Sequence, residues 1–156
     1  MNTEIKFRAK EIKLNKWVYG GYYKHLNRTP CPIDDSVKDE DYQCLIITSG
    51  FSDWNMPKPI KCFLVDEQTV GQFTGFKDKN GVDIYVGDVI ATNESLFLVA
   101  PIGTLCESVY SICVFDNKGR TYPFDNSIYE GSIVENIYDA PDEVKKEFAD
   151  SIKYFS

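Results

Sequence analysis

The apolar positions of the chain fall mostly into short runs of period two. Ile5, Phe7 and Ala9 alternate with Lys6 and Arg8, the pattern of a half-buried strand. A polar stretch, Lys10 to Lys16, separates it from Trp17–Tyr23 (WVYGGYY), so the two runs predict a hairpin. Gly20 and Gly21, paired inside the second run, predict a bulge or a place where another backbone comes close. Further apolar runs at 44–48, 60–65, 89–91, 96–100, 109–115, 121–124 and 133–138 predict more strands. Residues 26–42, with two prolines and a cluster of acids, read as a loop. Asp116-Asn117-Lys118-Gly119 joins 109–115 to 120–124 as a hairpin turn.

The period changes at the end of the chain. Pro141 starts a helix, and Asp142 and Glu143 suit the positive end of its dipole. Val144, Phe148 and Ile152 recur every four residues, with Phe155 one position beyond the ladder, so the helix is amphipathic. The predicted class is therefore mainly β with a C-terminal amphipathic helix. The best boundary lies near Asp66-Glu67, dividing an N-terminal β region (1–66) from a C-terminal part (67–156).

Composition is consistent with this. A chain of 156 residues makes one ordinary domain or two small ones, and 43% hydrophobic residues suffice to bury a core. Ten Tyr and ten Phe favour a pleated, half-buried surface. The net charge of −7, with no basic run longer than two residues, disfavours nucleic-acid binding by the chain as a whole; only a local basic patch stays open. Mimicry of DNA by acidic side chains is disfavoured too, since 17 bases offset the 24 acids. Met1 to Lys10 has no apolar segment of the signal-peptide kind, and no run reaches the roughly 18–20 apolar residues that span a bilayer. The expected location is the cytoplasm, with no membrane partner, and Asn27-Arg28-Thr29 and Asn93-Glu94-Ser95 are then chance glycosylation triplets. Five cysteines (31, 44, 62, 106, 113) with no Cys-x-x-Cys pair fit reduced thiols.

The glycine-rich stretch VGQFTGFKDKNGVDIYVGDVI (70–90) invites two readings that its spacing rejects. A phosphate loop needs Gly-x-x-x-x-Gly-Lys-Ser/Thr, and Gly71 and Gly75 are followed by Phe76-Lys77-Asp78. A calcium loop needs glycine sixth, and with Asp78 first and Asn80 third Gly81 falls fourth. Asp78-Lys79-Asn80-Gly81 reads instead as a β-turn, and Gly87-Asp88 as the entry to a strand.

His25 is the single histidine, which excludes sites with two His ligands. A nucleophilic pair with Cys31 and a carboxylate pair are the remaining enzymatic options. Cys62 and Cys113 lie in apolar runs and read as core thiols, and Cys106, seven residues before Cys113, would face the opposite side of a continuous strand. The acid loop Asp34, Asp35, Asp39, Glu40 and Asp41 reads as solvated, with a cation or a basic partner as the alternative. No catalytic, cofactor or metal site is expected. The recognition candidates are Tyr22, Tyr23 and Trp54, the last in a proline-flanked loop.

Several runs taken together resemble the YopX family of phage and prophage proteins: IKFRA (5–9), WVYG (17–20), TVGQFTGFKDKNGVDIYVGDVI (69–90) and IVENIYDAP (133–141). They lie in order and span almost the whole chain. Phe76 and Val82 stand at variable-looking positions, and Glu135 precedes Asn136 where glycine is common in the family. The acid loop lies outside the shared pattern. The resemblance implies coiled β-sheet, an origin in a phage or integrated phage genome, and action in the bacterial cytoplasm; it brings no activity and no catalytic residues. The motif residues Gly71, Gly75, Asp78, Asn80, Gly81, Gly87 and Asp88 are then structural, forming a connector and turn that launch a small SH3-like C-terminal barrel. The function expected is a non-enzymatic protein-binding module, homo-oligomeric or engaging a host or phage protein. The alternatives are a nucleic-acid-associated accessory protein and a small Cys- or carboxylate-dependent enzyme.

Overall fold

A computed structural model describes residues 5–31, 33, 36–93, 95–100, 113–124, 128 and 130–152. The chain is mainly β and divides into two compact units, Ile5–Val70 and Gly71 onward.

The N-terminal unit carries β1 (Phe7–Lys10), β2 (Trp17–Leu26), β3 (Tyr42–Ser49) and β4 (Ile60–Leu64), antiparallel in the order β4-β3-β2-β1. The predicted β1–β2 hairpin is present, pairing Phe7 with Gly20 and Lys10 with Trp17. Beyond Leu64 the chain curls back on β1. Glu11 bridges Val65, the Ile12 amide donates to the Leu64 carbonyl at 3.0 Å, and the Asp66 amide donates to the Lys10 carbonyl at 3.0 Å. First and last strands thus meet at one end, and the strands coil around a core of Ala9, Cys44, Ile46 and Val65, walled by Phe7, Val18, Tyr22, Phe63 and Val70. Gly20 answers the question its sequence posed. A Cβ there would stand 2.2 Å from the Ile47 carbonyl oxygen, so the residue serves close approach of β3 and no bulge.

Two corrections fall in this unit. Cys62 is exposed, not a core thiol. It pairs with Ile47 on the face opposite Phe63, and β4 ends the strand order, so its first three residues stay open to water. Among its described residues the 26–42 loop also contains a 3-10 turn, Asp39–Asp41. Asp34 and Asp35 lie outside the described residues.

The C-terminal unit begins with a hairpin in place of the expected connector: β5 (Gly71–Lys77) and β6 (Asp83–Tyr85). Its glycines hid it. Gly71 sits where a Cβ would meet the Val86 carbonyl oxygen at 2.4 Å, and Gly75 has φ +89° at the point where the pairing shifts register. Five strands follow: β7 (Asp88–Ala91), β8 (Leu96–Ala100), β9 (Cys113–Asp116), β10 (Thr121–Pro123) and β11 (Ser132–Asn136), in the order β10-β9-β8-β7-β11. Among the described residues this sheet is open. Closure into a barrel needs the edge strands to pair, and here β10 and β11 are its two ends. Residues 109–112 of the predicted β9 run, Cys106, Glu94 and Phe155 lie outside the described residues, and Cys113 is half-buried.

Both faces of the five-stranded sheet are covered, which is why β7 and β8 read as unbroken apolar runs. Ile90 and Val99 belong to one cluster, with Ile84, Val114 and Ile128. Their chain neighbours Val89 and Leu98 face the other way, into a cluster with Ile137, Ala140 and Phe148. Phe148 and Val144 bring the C-terminal helix to that second cluster, as the spacing of the apolar stripe predicts. The helix is short: α1 spans Asp142–Glu147 and α2 Ala149–Ile152, with Pro141 as the cap before the first turn.

Candidate functional site

The motif residues of the 70–90 stretch are gathered in the C-terminal unit around three buried carboxylates. Asp78 closes the β5–β6 turn. Its Oδ1 accepts the amides of Asn80 and Val82 at 2.8 and 2.9 Å, and its carbonyl accepts the amide of Gly81, which has φ +80°. Its Oδ2 accepts the Ile133 amide of β11 at 3.1 Å. Asp116 repeats this chemistry in the β9–β10 turn, accepting the Lys118 and Arg120 amides at 2.9 Å each, with Gly119 at φ +73°. Its Oδ2 takes the Arg120 Nε at 2.7 Å and the Tyr122 hydroxyl at 3.2 Å. Asp88 accepts the Tyr85 amide at 2.9 Å and lies 3.5 Å from the Asn136 Nδ2. Asn136 in turn accepts the Tyr138 amide at 3.0 Å. Between them sits Gly87, with φ +89°, its amide donating to the Val99 carbonyl and its carbonyl accepting from Ile137.

These groups hold the fold. Burial raises the pKa of Asp78, but the amides of Val82, Ile133 and Asn80 outweigh it and leave the carboxyl below its ordinary range. Burial likewise raises that of Asp116, and the Arg120 and Lys118 donors bring it below the ordinary range. Carboxylates whose oxygens point at backbone amides are committed acceptors.

In the N-terminal unit, period two splits the adjacent tyrosines. Tyr22 points inward, 5.5 Å from the Phe7 ring, with its hydroxyl 3.2 Å from the Cys44 sulfur. Burial pushes both Tyr22 and the Cys44 thiol up in pKa, so Cys44 is held as a thiol and is a poor nucleophile. Cys44 is one wall of a cleft of about 620 Å³, which Glu11, Glu40, Tyr42, Leu64 and Glu67 also line. Lys24 stands by it, paired with Glu67 and 5.1 Å over the Tyr42 ring. His25 stacks on Tyr23, ring centroids 5.6 Å apart, with Nδ1 3.1 Å from the Leu26 carbonyl, while Cys31 is exposed. In the acid loop, Arg28 grips Asp41 through Nε and Nη2 at 2.7 and 2.8 Å; with the Lys38 amide this lowers the Asp41 pKa to about 2. Among the described residues no group of three His, Cys, Asp or Glu is placed to hold a metal ion.

Outward, the same unit is unusually apolar. Tyr23 is 53% exposed and Tyr19, two positions before Gly21 on the same face, 50%. The loop between β3 and β4 adds Phe51 at 85% and Trp54 at 96%. That loop is built rather than slack. The Gly50 amide donates to the Pro59 carbonyl at its base, and the Met56 amide to the Asp53 carbonyl at its tip, with Asn55 at φ +63°. Phe51 and Tyr19 escaped the sequence reading. Tyr19 lies on the face of β2 opposite Val18 and Tyr22, a placement that composition alone does not give.

The described residues form two β units, with motif residues that tie strands together in one and apolar side chains turned outward in the other. The family model described as YopX protein matches residues 6–145, and the chain belongs to that family. No curated protein matches it.

Proposed function

We propose that the protein is a non-enzymatic binding module, encoded by a phage or prophage, that engages a protein partner through the β3–β4 loop of the N-terminal unit. The observation that supports this most directly is the loop itself. Phe51, Trp54 and Met56 on the loop and Ile60 at the start of β4 are all exposed within ten residues, and the loop is pinned at base and tip. Contiguous exposed apolar surface marks interaction sites, and Trp is the commonest anchor in them. The commitment of the buried carboxylates to backbone amides, and the raised pKa of Cys44, favour binding over catalysis. Self-association through the same loop is the finer alternative.

The test is a tagged pull-down from a bacterial host lysate, with and without nuclease, comparing wild type and Trp54→Ala. One stoichiometric protein that survives nuclease and is lost with Trp54→Ala is expected; a second copy of the chain recovered in that way indicates self-assembly. Partners that ignore Trp54→Ala would remove the loop from the account.

A further inference from the structure

The backbone of β4 has an open side. The Val65 amide donates to the Cys44 carbonyl at 3.0 Å and the Gly50 amide to the Pro59 carbonyl at 2.6 Å, and the register between them pairs Leu64 with Leu45 and Ile60 with Ser49. Backbone groups along an antiparallel pair turn alternately toward and away from the partner strand. Residues 59, 61, 63 and 65 therefore face β3, and Ile60, Cys62 and Leu64 turn their amides and carbonyls outward. The Ile12 amide agrees with this, since it reaches the Leu64 carbonyl at 3.0 Å from the other side. Beyond that bond the edge is open. Among the described residues no hydrogen bond meets the outward groups of Ile60 or Cys62, and both residues are exposed. The two ends of the five-stranded sheet are blunted instead. There β10 has three residues and ends in Pro123, which lacks an amide hydrogen. At β11 the Ile133 amide goes to Asp78, and the Gly131 carbonyl takes the Lys79 amide.

We infer that β4 takes an added strand from a protein partner: an extended segment with apolar residues on one face and acidic residues on the other. It rests on the reading above for the class of partner and adds how that partner is held, since the Trp54 loop runs directly into β4. Strand addition draws affinity from main-chain hydrogen bonds and selectivity from alternate side chains. Here Ile60 and Cys62 present one exposed apolar face and Lys61 the other. Residues 54–65 carry Lys58 and Lys61 and no acid, so an acidic side chain opposite Lys61 matches the charge of this edge. A second copy fits poorly. Lysine at an open edge guards against pairing with another copy. A two-fold axis at Lys61 would set that residue against its own equivalent, with the two Cα atoms about 4.5 Å apart. An axis at Cys62 would call on the Leu64 carbonyl, which Ile12 already holds.

The test is fluorescence anisotropy with a labelled, end-capped peptide of about eight residues that alternates Val and Glu, and with a second in which Lys replaces Glu. Saturable binding of the acidic peptide, weaker at about 300 mM than at about 50 mM salt, is expected, and none of the basic one. Cys62→Pro removes an outward amide hydrogen and no bond to β3. It should weaken the acidic peptide about tenfold with an unchanged circular dichroism spectrum, while Cys62→Ser, which keeps the amide, binds as wild type. Lys61→Glu should lose about fivefold for the acidic peptide and bind the basic one instead, and it decides the matter should Cys62→Pro fail to fold. Failure to bind the acidic peptide, equal binding of both peptides, or binding indifferent to Cys62→Pro and Lys61→Glu would each overturn the added strand. Wild-type dimers in sedimentation that Cys62→Pro abolishes would give the edge to a second copy and overturn it too. In the lysate pull-down, a partner lost with Trp54→Ala but kept with Cys62→Pro and Lys61→Glu would remove the strand and leave the loop. A partner with the opposite behaviour would remove the loop and leave the strand.

Discussion

The two units spend their side chains in opposite ways. In the C-terminal unit the buried polar residues are Thr74, Asp78, Asp88, Asp116, Asn136 and Ser151, whereas the N-terminal unit buries only Arg8 and Thr69 among the described residues. Exposed large apolar side chains show the reverse: among the described residues, all but Phe76, Val82 and Val134 lie in Ile5–Val70. One unit turns its polar groups inward to fix strands, and the other turns apolar groups outward toward whatever meets them. The family match, residues 6–145, covers both units, and a shared fold by itself conveys shape more than activity.

Four expectations break or sharpen that contrast. The largest effect should come from Gly87→Val. At φ +89° a β-branched residue is strained, and its Cβ would press on the Asn136 Nδ2 at 3.1 Å. A loss of about 3 kcal/mol in urea unfolding is expected, and an unchanged midpoint would deny the motif its structural role. Asp78→Ala comes next, at about 2–3 kcal/mol, because it strands the half-buried Ile133 amide in β11. Asp116→Ala should cost about 1 kcal/mol less, since water can reach the amides of the exposed Lys118 and Arg120. Equal losses would show that the two turns are energetically alike.

The third expectation concerns acid. Asp78 and Asp116 have folded pKa values below the ordinary 3.8, so protons bind the unfolded chain first. Their stabilisation is fully present above about pH 4 and is lost as pH falls through the lower folded values. The wild-type urea midpoint should therefore drop between about pH 4 and pH 2, and less steeply in the double variant Asp78→Asn, Asp116→Asn. The smallest effect belongs to Trp54→Ala, within about 0.5 kcal/mol of wild type by thermal unfolding. A larger loss would place that side chain in the fold rather than on a binding surface.

Much of the fold is legible in the chain. Alternation gives β1 and β2, although Arg8 on the polar side of β1 is buried, and Asp-x-x-Gly marks the turns at 78–81 and 116–119, the second as a hairpin, because one carboxylate and one left-handed residue make the turn locally. The β5 strand is illegible for an equally local reason: Gly71 and Gly75 serve backbone approach and a register shift, and so carry no alternating side chains. The surfaces are harder to see. Tyr22 and Tyr23 are neighbours in sequence and opposites in space, and Cys62 looks like a core residue until β4 is known to end the strand order.

The hydrogen bond from Ile133 to Asp78 joins positions 55 residues apart. The turn that presents the carboxylate is local and closes on the scale of microseconds, whereas β11 must be brought back across the intervening strands, a slower and entropically costlier search. The bond is therefore expected to act as a late latch: Asp78→Ala should speed unfolding and leave the refolding rate nearly unchanged in stopped-flow urea jumps.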